Sequence, residues 1–156
     1  PDRLLDDDGT VFIRYEGGAR CLLSASQVCA GVENGLYIRI YGEKGGLEWR
    51  QDSPNTMIFR PAEGAAEMIR TSTPGIESPA AQHNSRVPGG HPEGFIEAFA
   101  NLYRNFALTL IADAANETPC ECCTDFPSVQ DGIEGMQFVD AVVSSSAQNA
   151  AWVKWD

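Results

Sequence analysis

Between Leu36 and Trp49 the chain alternates in steps of two: Leu36, Ile38 and Ile40 are separated by Tyr37, Arg39 and Tyr41, Gly42 to Gly46 turns, and Leu47-Glu48-Trp49 follows. A period of two sends successive side chains to opposite faces, and so short a glycine-rich turn can join only antiparallel neighbours. The same grammar recurs upstream. Thr10 to Glu16 places Val11, Ile13 and Tyr15 on one face, Gly17-Gly18 supplies a tight turn, and Ala19 to Val28 returns. Met57 to Arg60 and Glu67 to Arg70 add a short strand each, punctuated by Pro61 and Gly64. The first half of the chain is therefore antiparallel β structure.

The second half changes period. Thr71 to Gly90 carries Pro74, Pro79 and Pro88 without either periodicity, which predicts a long surface loop. Pro92 suits the first turn of a helix and Glu93 favours the same end, so a helix is expected from there to about Asp113. Phe95, Ile96, Phe99, Leu102, Tyr103, Phe106 and Leu110 form its apolar stripe, which needs a surface to cover, the sheet being the candidate. Ala114 to Phe126 is a polar, exposed connection. Ser128 with Asp131 caps a helix through about Ser144, and Trp152, Val153 and Trp155 suggest a closing strand.

Strands first and helices later give an α+β fold: an open-faced two-layer sandwich, a mainly antiparallel sheet with helices on one face. The opposite face is then bare. Apolar area left in water costs about 25 cal/mol per Å², so pairing with another subunit or domain is expected.

Eleven basic against twenty-two acidic residues, a net charge of -11, argue against a nucleic-acid partner. No apolar run is long enough for a bilayer span, so no membrane partner is expected. The opening at Pro1, without an initiator methionine or a leader, reads as the middle of a longer protein. Cys21, Cys29, Cys120, Cys122 and Cys123 are odd in number and lack the regular spacing of a secreted disulfide scaffold, which fits a cytoplasmic location.

Chemistry is sparse. Gly42 to Gly46 is a hairpin turn and not a phosphate loop, and no P-loop or nucleophile elbow is present, so neither cofactor-binding nor catalytic residues are expected in this chain. The C-x-C-C cluster Cys120, Cys122 and Cys123, beside Glu121 and Asp125, could attract zinc in principle. It lacks a second pair and reads as loop cysteines, with no metal expected. His91 precedes Pro92, which holds it extended at the mouth of the first long helix. A neutral imidazole there could meet a sugar hydroxyl or carbonyl, or serve as a plain capping residue. His83 reads as solvated. Arg39, Glu48 and Arg50 suit a polar, cross-paired sheet face, and Trp49, Trp152 and Trp155 suit packing better than sugar stacking.

Four segments carry a family resemblance. Glu33-Asn34-Gly35-Leu36 through Arg39 to Trp49 resembles a signature stretch of the glucose-fructose oxidoreductase and inositol dehydrogenase family. Asp6-Asp7-Asp8 with the Arg14 to Gln27 hairpin, Gly90 to Phe95 with Glu97-Ala98-Phe99, and Phe126-Pro127 with Asp131 to Phe138 stand in the same order. The likeness covers nearly the whole chain except Met57 to Arg86 and Ala112 to Asp125.

The resemblance implies a C-terminal substrate and oligomerisation domain over residues 1–156, partnered by an N-terminal Rossmann domain that binds NAD or NADP and lies outside the chain. It implies hydride transfer between cofactor and a sugar, polyol or related substrate, and a homodimer or tetramer built through the sheet face. The family's lysine, aspartate and histidine would precede Pro1, and Glu43-Lys44-Gly45 departs from its Glu-Lys-Pro motif. Among matching positions, His91 with Glu93 is the expected substrate-binding pair. The fragment alone should be inactive. The rival readings are a noncatalytic carbohydrate- or protein-binding module and a ligand sensor.

Overall fold

The computed structural model describes residues 5–75 and 78–155. The opening at Pro1 and residues 76–77 of the expected loop lie outside them. The chain divides into two compact units, Pro1–Glu33 with Val129–Asp156, and Asn34–Ser128.

In the first unit, β1 (Asp8–Arg14) pairs antiparallel with β2 (Arg20–Ser26), with Val11 opposite Leu23 and Ile13 opposite Cys21. The turn forms where the glycines predicted it: Gly18 takes φ +86°, and Tyr15 N–H donates to Ala19 O at 3.0 Å. Alternation survives in the burial, Val11 and Ile13 being half-buried while Phe12 is 67% exposed. Helix α3 (Val129–Ala147) continues past its expected end near Ser144.

The expected closing strand is absent among the described residues. Asn149 and Ala150 adopt left-handed φ values of 56° and 58°, which end α3 in a backward turn, with Ala150 N–H on Ser145 O at 2.9 Å. The tail is then held by side chains: Trp152 lies under the Arg14 guanidinium at 4.0 Å, and Trp155 meets Phe138 at 5.5 Å. These are packing roles, as expected for the tryptophans.

In the second unit, β3 (Tyr37–Gly42), β4 (Gly45–Arg50), β5 (Thr56–Pro61) and β6 (Glu67–Arg70) form one antiparallel meander in sequence order. Ile38 faces Trp49, Ile40 faces Leu47, and Arg39 faces Glu48. Glu48 takes Arg39 at 3.3 Å and Arg60 at 3.1 Å, the cross-paired polar face that the alternation implied. Arg50, at the strand end, pairs instead with Asp52 at 3.1 Å. Trp49 Nε1–H donates to Pro54 O at 3.0 Å.

Three expectations fail here. The predicted loop from Thr71 to Gly90 contains helix α1 (Pro79–Asn84), because Ser78 Oγ caps Ala81 N–H at 3.4 Å and Pro79 fits the first turn. The long helix α2 (Phe95–Ala114) begins after Pro92, with Gly94 as its cap and Glu97 Oε2 accepting Gly94 N–H at 2.9 Å. Ala114 to Phe126 is not wholly exposed either: a 3-10 turn at Glu121–Thr124 buries Cys123 to 9% exposure, and Cys120 and Cys123 form a disulfide.

The α+β open-faced two-layer class holds. No helix among the described residues is long and apolar enough to cross a membrane. Apolar surface remains largely open: Ile38 and Ile40 are 52% and 54% exposed, and Phe95, Phe99, Phe106 and Leu110 on the α2 stripe stay between 48% and 67%.

Candidate functional site

His91 sits in the connection from α1 to α2, where its backbone N–H and its ring Nδ1 both approach Pro88 O at 3.1 Å. For that ring contact to be a hydrogen bond, Nδ1 carries the proton, which leaves Nε2 as the acceptor. The residue is exposed and lines a cavity of about 320 Å³ with Ser53, Asn55, Thr56, Arg70 and Thr71. The β4–β5 and β6 ends thus supply one wall and the loop before α2 the other.

Glu93 does not line that cavity, yet one side chain ties it to the same wall. Its backbone N–H donates to Asn55 Oδ1 at 3.0 Å, while Asn55 O accepts Thr71 N–H at 3.0 Å. The Glu93 carboxylate reaches the other way, Oε1 accepting Arg86 N–H at 2.7 Å. His91 and Glu93 are therefore neighbours on one loop with different tasks: a ring at the cavity and a carboxylate that fastens the segment between α1 and α2. Nearby, a hollow of about 490 Å³ is lined by Ser72, Gln82 and Arg86. Ser72 takes φ +56°, and its buried Oγ has no hydrogen-bond partner in the structure.

A second cluster was invisible to the sequence reading. Asn105 on α2 is 1% exposed, the most buried of the described residues. Its Nδ2 donates to Asp125 O at 3.2 Å, which orients Oδ1 toward His83 Nε2 at 2.8 Å, a hydrogen bond in the tautomer that carries its proton on Nε2. The Arg104 guanidinium, which can only donate, also lies 2.9 Å from that nitrogen and competes there with Asn105 Oδ1: the two contacts call for opposite tautomers of the ring. His83 is thus half-buried and paired on α1, not solvated as expected. Asn101 Nδ2 donates to Asn84 O at 2.7 Å and its Oδ1 receives Arg86. The available signal was Asn101, Asn105 and Thr109 at four-residue steps, a polar line running beside the apolar stripe of α2.

One ring nitrogen of His83 and the sulfurs of Cys120 and Cys123 lie within 4.8 Å of one another. The spacing Cys120-x-x-Cys123 is the relevant one, and Cys122, which made the sequence pattern look like C-x-C-C, stands outside the group. Thr109 Oγ1–H donates to Cys123 O at 2.9 Å and fixes the turn on α2.

The chain as a whole resembles known proteins. Residues 1–155 match the family model described as "Oxidoreductase family, C-terminal alpha/beta domain". An uncharacterized oxidoreductase, YfiI, of Bacillus subtilis is 30% identical over 97% of the chain, which spans 38% of that protein. Among solved structures, an oxidoreductase from Sinorhizobium meliloti is 42% identical with a TM-score of 0.89, over 97% of this chain and 42% of that one. An inositol dehydrogenase homolog from Azotobacter vinelandii, solved in complex with NADH and myo-inositol, is 32% identical with a TM-score of 0.85, over 97% of this chain and 40% of that one. The chain spans about two fifths of the length of these relatives. With strand pattern, turn positions and overall match in agreement, the chain belongs to the glucose-fructose oxidoreductase, inositol dehydrogenase and MocA family of oxidoreductases, as its C-terminal alpha/beta domain.

Proposed function

We propose that the full-length protein is an NAD(P)-dependent oxidoreductase that moves hydride between its cofactor and a sugar, polyol or related substrate, and that this chain supplies pocket wall and oligomer interface. The observation that carries the reading is the match along 97% of the chain to an inositol dehydrogenase homolog whose structure holds NADH and myo-inositol. In such a reaction the carbinol C–H leaves as hydride to the nicotinamide and the hydroxyl proton goes to a base. In this proposal the cofactor, of which NAD is favoured by that homolog, and the base belong to an N-terminal Rossmann domain, and residues 1–156 act as one substrate and oligomerisation domain.

His91 and Glu93 are the proposed substrate-site residues, His91 by contact and Glu93 by holding the loop. His91 Nε2, left as acceptor by the Nδ1 bond to Pro88, takes a substrate hydroxyl at the cavity of about 320 Å³. Glu93, whose Oε1 accepts Arg86 N–H, acts beside it by fastening the loop that carries His91. The apolar faces of β3 and α2 suit the contacts of a homodimer or tetramer, and a cytoplasmic location completes the reading.

The test is the full-length protein supplied with NAD+ or NADP+ and a panel of sugars and polyols, followed at the absorbance of the reduced nicotinamide. Turnover with at least one polyol is expected. Specific ligand binding without turnover across the panel would favour a sensor instead.

A further inference from the structure

We propose that His83, Cys120 and Cys123 form a soft-metal site, able to hold Zn2+ when the two cysteines are thiols and shut when they are joined as a disulfide. The inference stands apart from the redox chemistry of the full-length enzyme. Three donors of the types zinc selects, one imidazole nitrogen and two sulfurs, already lie within 4.8 Å of one another. Bonds of about 2.0–2.3 Å to a tetrahedral zinc separate donors by roughly 3.3–3.8 Å, within reach of small side-chain rotations once the sulfurs are unlinked.

The surroundings hold the donors in place. Cys123 N–H donates to Cys120 O at 2.9 Å, closing the 3-10 turn that brings both sulfurs to one side, and Thr109 pins that turn through Cys123 O at 2.9 Å. Buried Asn105 Oδ1 lies 2.8 Å from His83 Nε2, the outer contact that a metal-binding imidazole ordinarily requires, and in the tautomer with its proton there Nδ1 is the nitrogen free to ligate. Two thiolates neutralise the charge of Zn2+, so the Arg104 guanidinium faces a neutral centre and favours the thiolates it needs. Two sulfurs and one nitrogen leave the fourth position to water.

The structure records the oxidised state, in which neither sulfur can ligate. Interconversion balances by thiol–disulfide exchange with a low-molecular-weight disulfide. The Cys120 thiolate attacks it, forms a mixed disulfide and expels one thiolate; the Cys123 thiolate then closes the internal bond and expels the second, with release of Zn2+. Two electrons pass from the protein to the small disulfide.

The experiment uses the full-length protein, reduced, stripped with chelator and titrated with Co2+ and then Zn2+ without oxygen. One Co2+ bound through Cys120 and Cys123, with thiolate charge-transfer absorption that Zn2+ abolishes, is expected. Cys120→Ser with Cys123→Ser should lose that signal, His83→Gln should weaken it by at least about tenfold, and Cys122→Ser should leave it unchanged. Glutathione disulfide should release the metal. To keep the result independent of whether variants fold, wild-type protein is alkylated with and without Zn2+ and mapped by mass: Zn2+ should protect Cys120 and Cys123 and spare neither Cys122 nor Cys29. Equal alkylation of Cys120 and Cys123 with and without Zn2+, or a charge-transfer band that survives the double serine variant, overturns the proposal.

Discussion

At the junction of α1, α2 and the 3-10 turn, a polar side chain is the most buried of those described, whereas on β3 and along α2 large apolar side chains stand in water. Asn105 is 1% exposed and meets His83 and Asp125 within the chain. Ile38 and Ile40 are about half exposed, and Ile96 is 77% exposed. The difference separates two kinds of surface. Burying a polar group without partners costs about 1–3 kcal/mol, and Asn105 finds its partners within the chain, so the junction is complete in itself. Apolar faces left open make up exposed area that favours a further contact, as the proposed pocket wall and subunit interface would require.

The contrast can be broken at its polar end first. Asn105→Leu takes the amide away from His83 Nε2 and the Asp125 carbonyl, and should cost about 3 kcal/mol in urea unfolding. A change below about 1 kcal/mol would mean that the junction is not self-sufficient. Gly45→Ala probes the sheet: with φ +155°, its added Cβ would stand 2.5 Å from Arg60 O, so a loss of about 2 kcal/mol is expected in the same assay.

At the open end, Ile38→Ser with Ile40→Ser should lower stability by no more than about 1 kcal/mol, because those side chains are already half in water. Ultracentrifugation of the full-length protein should nevertheless show a smaller assembly than wild type. An unchanged assembly would remove β3 from the interface.

The smallest effect concerns Glu97, whose carboxyl is held below the usual range by the Gly94 N–H first and by its own N–H second. Since the folded value is the lower one, this contribution is fully present above the ordinary carboxylate range and is lost as pH falls through the depressed value. On a solvent-exposed cap it is small. Acid titration of the far-ultraviolet helix signal should separate wild type slightly from Glu97→Gln, whose cap does not titrate.

Much of this fold was legible because its signals are local. Alternation from Leu36 to Ile40 and glycines at the turns placed the strands, and the three- and four-residue steps from Phe95 to Leu110 placed α2. α1 was obscured because Pro79 was read as a loop breaker, although with Ser78 before it the pair is a helix start. The tail failed as a strand for want of a partner ladder that sequence period cannot supply. The site divided in the same way. His91 was singled out from its place before Pro92, but the His83, Asn105 and Cys123 cluster depends on contacts across about twenty or more positions. In sequence those residues read as a solvated histidine, a helix amide and loop cysteines.

The most direct test separates the two halves of the proposed enzyme. In full-length His91→Ala, the KM for the polyol should rise about tenfold, the equivalent of one lost hydrogen bond of about 1.4 kcal/mol, while the calorimetric Kd for NAD+ stays at its wild-type value. A weakened NAD+ affinity with an unchanged polyol KM would contradict the account.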